Sequence, residues 1–173
     1  IAKKIGNKMA QIISFDNLAN LFKEAGEFTK AAAYCDKAVE MATIAGARGV
    51  LPTLYCHRGE SLIHLKKYDE VLKDINEGGS IAKELSQSGM IFQINMLRLR
   101  LEATQGKVSD AVKRATKFLD ETTDQEDLAS VYKLIWEIAA DDKSRKAAIR
   151  IYTKLNKAHS AYRYRLALKH LSL

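Results

Sequence analysis

Little in this chain breaks a helix. It has one proline, Pro52, and nine glycines in 173 residues. A β-sandwich, a collagen-like chain or a disordered one would carry more of one or both. Cys35 and Cys56 are the only cysteines. Two thiols cannot build a disulfide framework, which fits a reducing, cytoplasmic compartment. Both fall in helical patterns, where the expected role is that of a small core hydrophobe. No apolar run reaches the roughly eighteen residues of a membrane span, so no membrane association is expected. No charged-then-apolar leader precedes a cleavage-like site. The chain opens on Ile1 rather than on methionine, and is expected to be a fragment of a larger, multidomain protein. Acid is missing from one end altogether. Residues 1–142 hold 19 Lys and Arg and all 21 Asp and Glu, whereas residues 143–173 hold nine Lys and Arg and no acid. Such asymmetry speaks of partners, not of fold.

What is present is apolar residues, 47% of the chain, set out at helical spacing. Ile5, Met9, Ile12, Ile13, Leu18, Leu21 and Phe22 recur in steps of three and four, which predicts a first helix over 1–25 with these on its buried face. Gly26 ends it. Ala31, Ala32, Cys35, Ala38, Val39 and Ala42 predict a partner helix over 28–45 with a small-residue inner side. Pro52 suits the first turn of a helix over 52–66. A fourth helix covers 68–87. Gly78-Gly79 lies inside it, where each glycine costs about 1 kcal/mol against alanine, so tight packing or a local bend is expected. Ser88-Gly89 closes this unit. Further helices are expected at 90–105, 108–121, 125–141 and 143–156, with Thr122-Thr123-Asp124 as an N-cap region. A last helix, 159–171, carries Tyr162, Leu166, Leu168 and Leu171. The apolar run Ile91, Phe92, Ile94, Met96, Leu97, Leu99 and Leu101 covers more than one face and predicts deep burial, with an apolar groove floor as the alternative.

The pattern recurs at about forty residues, the kind of period that marks a helical repeat array. Leu18-Ala19-Asn20-Leu21-Phe22 leads to Gly26-Glu27-Phe28 and Ala31. Arg58-Gly59-Glu60-Ser61-Leu62 leads to Lys67-Tyr68 and Val71. Weaker copies follow at Leu97, Leu101, Gly106 and Ala111, and at Ile135, Ile138, Asp141-Asp142 and Ala147-Ala148. These residues resemble the tetratricopeptide repeat. Phe15, Leu18, Ala19 and Phe22 match its helix A, and Ala31, Cys35 and Ala38 its helix B. In the second unit Tyr55, Gly59 and Leu62 match helix A, Arg58 departs from the usual leucine, and Gly78 stands for an alanine of helix B. The period is similar to the longer variant found in kinesin light chain, LGN-type polarity adaptors and bacterial tetratricopeptide regulators. The resemblance implies an all-α, right-handed superhelix of about four antiparallel helix pairs (about 10–45, 50–87, 90–121 and 125–156). A capping helix at about 159–171 completes it, the whole forming a single repeat domain over 1–173.

The same resemblance implies a concave groove lined by helix A. Carried over, its ligand-facing positions are Asp16, Asn17, Asn20 and Lys23, then Thr53, His57, Glu60 and His64, then Ser130, Lys133 and Glu137. Asparagine suits a peptide backbone because it both donates and accepts. A merely solvated face is the plainer alternative. Binding of an acidic chaperone tail is rejected: Asn20 fits that clamp, but Asp16, His57, Phe92 and Met96 replace its other residues. His57, Glu60 and His64 share a face, yet the two histidines are about 10.5 Å apart in rise, too far for one metal ion. No phosphate loop or catalytic motif appears, so no metal, no cofactor and no enzymatic activity are expected.

At the basic end stand Arg150, Arg163, Arg165 and Lys169, with Tyr162-Arg163-Tyr164-Arg165 interleaving rings and cations. The plain reading is tyrosines turned to the core and cations solvating the outside. An acidic partner or neighbouring domain is the alternative. A basic edge without a recognisable motif argues weakly for nucleic acid. The expected function is a protein- or peptide-binding scaffold in a signalling or regulatory protein. A peptide-sensing domain controlling an attached effector, and binding of nucleic acid or an acidic partner through the basic end, are the alternatives. Homo-oligomerisation is left open, should the cap be incomplete.

Overall fold

The computed structural model of the chain describes the backbone of residues 2–172 and the side chains of residues 8–172. Ile5, expected on the buried face of the first helix, has its side chain outside that range. The described residues are all-α. The helices are α1 (Ala2–Glu24), α2 (Phe28–Ile44), α3 (Leu51–His64), α4 (Tyr68–Glu84), α5 (Ser88–Thr104), α6 (Val108–Glu121), α7 (Gln125–Ala139), α8 (Asp142–Ala158) and α9 (Tyr162–Leu171). A single 3₁₀ turn, Arg48–Val50, leads into α3, and Pro52 sits in the first turn of that helix as its missing N–H requires.

Five of the reversals share one construction. Gly26, Gly46, Lys66, Ser86 and Gly106 all have positive φ, and each stands twenty residues after the last. At each, the following N–H reaches back over the helix end: Glu27 to the Phe22 carbonyl, Ala47 to Ala42, Lys67 to Leu62, Gln87 to Ala82 and Lys107 to Glu102, at 2.8–3.0 Å. This is the Schellman cap, which satisfies orphan carbonyls by putting one residue in the left-handed region. Lys66 and Ser86 adopt it at a cost of about 1 kcal/mol or more that glycine would not bear. The turn expected at Ser88-Gly89 is corrected here. The reversal lies at Ser86, and Ser88 and Gly89 begin α5, whose first carbonyl acceptor is Gln87. The later reversals differ. Asp124 caps α7 by accepting from the Glu126 and Asp127 amides, as expected of that segment, and Asp141 caps α8 by accepting from Ser144.

The chain forms two compact units, Ile1–Leu101 and Glu102–Leu173. In the first, α1 packs on α2, α2 on α3 and α3 on α4. One cluster joins Ile12, Ala38, Ala42, Leu51, Leu54 and Tyr55. Another joins Cys56, Leu62, Ile63, Val71, Ile75 and Ala82 to Ile94, Leu97 and Leu101 of α5. Ala31, Ala38 and Ala42 are wholly buried, so small side chains do line the inner side of α2. The apolar run of α5 is buried at Ile94, Met96, Leu97, Leu99 and Leu101, as expected. Both thiols are buried, and burial pushes both up to about 12. In the second unit α6 packs on α7, α7 on α8 and α8 on α9. Tyr164, Ala167 and Leu171 of α9 close over Ala129, Ala148, Ile151 and Tyr152.

Two expected core assignments fail. Ile13, Leu18 and Leu21 are 54%, 37% and 60% exposed, because α1 is covered only on the side that meets α2 and α3. Tyr162 is 59% exposed, the buried stripe of α9 being Tyr164, Ala167 and Leu171 at i, i+3 and i+7.

The paired glycines of α4 are not equivalent. A Cβ at Gly78 would come within 3.2 Å of Ile94 Cδ1 and 3.4 Å of Tyr55 Cβ, whereas one at Gly79 meets only Ile94 Cγ2 at 3.7 Å. Gly79→Ala should therefore stabilise the chain by about 0.5–1 kcal/mol, and Gly78→Val should destabilise it by about 1–3 kcal/mol through overpacking. Urea denaturation of the two variants checks the opposite signs.

Candidate functional site

On the first unit a row of half-buried polar side chains runs between α1 and α3. Asp16, Asn20 and Lys23 stand at i, i+4 and i+7, so they share one face of α1. His57 and Glu60 stand at i and i+3 on α3. His57 Nδ1 donates to Asp16 Oδ1 at 2.7 Å, and Lys23 Nζ meets Glu60 Oε2 at 2.5 Å. Arg100 of α5 approaches the other Glu60 oxygen at 3.7 Å. The Asn20 amide nitrogen lies 3.5 Å from His57 Nδ1 and donates to the Asp16 carbonyl at 3.1 Å. Asp16, Lys23, His57, Glu60 and Arg100 keep between 18% and 35% of their side-chain surface in water. Thr53, also on α3, donates to Met90 Sδ of α5 at 3.4 Å.

The electrostatics of this row centre on Glu60. Partial burial alone would raise its pKa, but the Lys23 and Arg100 charges, with His57 and the Lys23 hydrogen bond, outweigh that and hold it at about 2.

The other candidates fall elsewhere. Asn17 is exposed on α1. His64 does not join the row; its ring stacks on Phe28 at 3.9 Å and 6°. Lys133 and Glu137 pair with each other along α7 at 2.9 Å, and Ser130 shares a hydrogen bond with Tyr152 at 3.2 Å. Among the described residues no cluster of three His, Cys, Asp or Glu side chains is placed to hold a metal ion. No described helix is long and apolar enough to cross a membrane.

The basic end is less free than its sequence suggests. Arg163 pairs with Glu126 at 2.7 Å and donates to the Tyr164 hydroxyl, which itself donates to Glu126. Arg165 donates to Ser160 Oγ at 3.0 Å and lies over the Tyr162 ring. Arg145 donates to the Leu171 carbonyl at 2.7 Å, capping α9, and lies over Trp136. Arg150 and Lys169 are exposed. Also in the second unit, a cleft of about 460 Å³ is lined by Glu102, Lys107, Asp110, Lys113, Arg114 and Lys117. Arg114 Nη1 lies 2.6 Å from both Glu102 oxygens.

Sequence reasoning missed one constellation outright. Arg58, noted only as standing where the family has leucine, grips Asp74 with Nε at 2.9 Å and with its second terminal nitrogen, and reaches Asp36 at 2.7 Å. The Asp74 side chain has no exposed surface. The hydrogen bonds to Asp74 raise the Arg58 pKa against the opposing effect of burial, so the guanidinium stays charged. An acid inside the apolar stripe Val71, Ile75, Gly78 was the available signal. Forty residues on, Arg98 donates to Asn76 at 3.3 Å, repeating the Arg58–Asp36 contact in weaker form.

Compared with family models and with curated proteins, the chain matches none.

Two outcomes are expected from this geometry. Arg58→Ala strands a buried carboxylate and should destabilise the chain by about 3 kcal/mol, while Arg58→Leu/Asp74→Leu should recover most of it. Chemical denaturation of the three proteins tests the contrast. The Glu60 pKa is lowered from its ordinary 4.5 to about 2 on folding, so its stabilising effect is present above pH 4.5 and is lost as pH falls toward 2. Glu60→Gln should melt lower than wild type at neutral pH, and the gap should close across that window.

Proposed function

We propose that this chain is a tetratricopeptide-type array of the longer-repeat kind. It would wind as a right-handed superhelix of four helix pairs, α1–α2, α3–α4, α5–α6 and α7–α8, with α9 as the capping helix. We propose further that it serves as a protein- or peptide-binding scaffold in a signalling or regulatory protein, with no catalytic role. The observation that carries this reading is the turn geometry. Left-handed caps at Gly26, Lys66 and Gly106, and at Gly46 and Ser86, recur every forty residues, each with the same backward hydrogen bond. A period held by backbone conformation, through positions that are glycine in one copy and lysine in the next, supports a structural repeat more strongly than side-chain likeness does. The Asp36–Arg58 and Asn76–Arg98 contacts keep the same period. The period lapses after Gly106, where Asp124 and Asp141 caps take over, which agrees with the looser match of the fourth pair.

The binding face in this reading is the row Asp16, Asn20, Lys23, His57 and Glu60, with Asn17 beside it. Its cations and carboxylates already answer one another, so it suits a ligand with mixed hydrogen-bonding groups, as a peptide backbone has, better than a highly charged one. The test is capture from a nuclease-treated lysate, read by mass spectrometry, with wild type beside Asn20→Ala/His57→Ala and Arg150→Glu/Lys169→Glu. A protein retained by wild type and by the basic-end variant, and lost from the first variant at unchanged melting temperature, is the expected result. Equal capture by the Asn20→Ala/His57→Ala protein would show that this row is not the binding face.

A further inference from the structure

The cations of α8 form a line. Lys143, Lys146, Arg150, Lys154 and Lys157 follow one another at steps of three and four residues, which holds them within one narrow stripe of the helix. The stripe runs about 21 Å, or about four turns. It faces away from the core, since Ser144, Ala148, Ile151 and Tyr152 are the residues of α8 that are buried. Lys146 is answered by Asp142 at 2.6 Å. Lys143 is exposed and its charge acts on Asp141, whereas Arg150, Lys154 and Lys157 are exposed and have no acidic partner among the described residues. Residues 143–173 contain no Asp or Glu.

We infer that this stripe is a second binding surface, separate from the α1–α3 row, and that its partner is an acidic helix carrying Asp or Glu at i, i+3, i+4 and i+7. The argument is one of matching repeats. Neighbouring cations on the stripe are about 5–6 Å apart at Cβ, and carboxylates at helical spacing on a facing helix have the same interval, so pairs stay in register along the whole length. The second unit already joins helix to helix in this way, at Arg114–Glu102 and Arg163–Glu126. Nucleic acid fits less well. Stacking needs exposed rings among the cations, but Tyr152 is buried, and Tyr162 belongs to α9. A lipid surface also fits less well. An interfacial helix needs large apolar side chains beside its charges, and none of the exposed large hydrophobics lies on α8.

The test uses the whole chain and two fluorescent peptides of identical composition and about four turns in length. In one the glutamates form a single stripe; in the other they are spread around the helix. A thymidine oligonucleotide and vesicles of phosphatidylcholine and phosphatidylserine in equal parts serve as competing probes. The striped peptide should bind roughly tenfold tighter than the spread one, since several weak exposed pairs then act together, and its affinity should fall as salt is raised. Arg150→Glu/Lys154→Glu should abolish the preference without changing the far-ultraviolet circular dichroism. Lys113→Glu/Lys117→Glu, which alters the basic cleft instead, should leave it intact. Should the first reversal disturb folding, Lys154→Ala/Lys157→Ala gives the same reading with less perturbation. Equal affinity for the two peptides overturns the inference. So does loss of binding only with the cleft variant, or tighter binding of the oligonucleotide or the vesicles than of the striped peptide.

Discussion

An amphipathic helix can bury its apolar face only if the chain turns back before that face is spent, and every other feature of the first unit depends on how this is done. One residue after each helix end enters the left-handed region, and the amide beyond it closes on a carbonyl a full turn back. The construction fixes the direction in which the next helix leaves. Because it recurs at twenty-residue intervals, the inner faces of α1 to α4 meet again and again in the same relation. Alanines buried on α2, and the close approach at Gly78, are then consequences of a separation the turns impose.

Polar chemistry is layered on that frame in two ways. Between α3 and α4, Asp74 is fully enclosed and takes its solvation from Arg58, whose other terminal nitrogen reaches out to Asp36. Such a pair contributes less to stability than to the exclusion of alternatives, since any register that separates its members leaves a charge in the core. At the half-exposed margin between α1 and α3, the pairs Asp16–His57 and Lys23–Glu60 are weaker and open to water. Contacts of the second kind can be exchanged for contacts with a ligand at modest cost; those of the first cannot.

Much of the frame was legible in the sequence because it is periodic. Helix positions follow from three- and four-residue steps, and most ends from Gly26, Pro52, Gly106 and Asp124. The end at Ser86 was missed because a serine bearing positive φ leaves no compositional mark, while Ser88-Gly89 close by offered a false one. Leu18 and Leu21 were misplaced for a different reason: apolar character does not say which side of a helix is covered. Asn20, Lys23, His57 and Glu60 were picked from the sequence as groove-facing positions, and the structure sets them side by side between α1 and α3. That Lys23 would meet Glu60, and that His64 would leave the row to stack on Phe28, depended on the lateral offset of α1 against α3, which no single helix encodes. At the basic end the tyrosine nearer the core was Tyr164 rather than Tyr162, a distinction of two residues that only the approach of α9 to α8 decides.

The placement of sulfur has a practical side. Cys35 lies on α2 and Cys56 on α3, both in the core of the first unit, and the second unit, Glu102–Leu173, contains no thiol. With both thiols held protonated by burial, a thiol-specific reagent meets reactive sulfur only in molecules whose first unit has opened. The natural sequence thus carries a reporter that is silent about one half of the chain and specific for the other. The rate at which the two sulfurs become labelled is a direct clock for the breathing of α2 and α3.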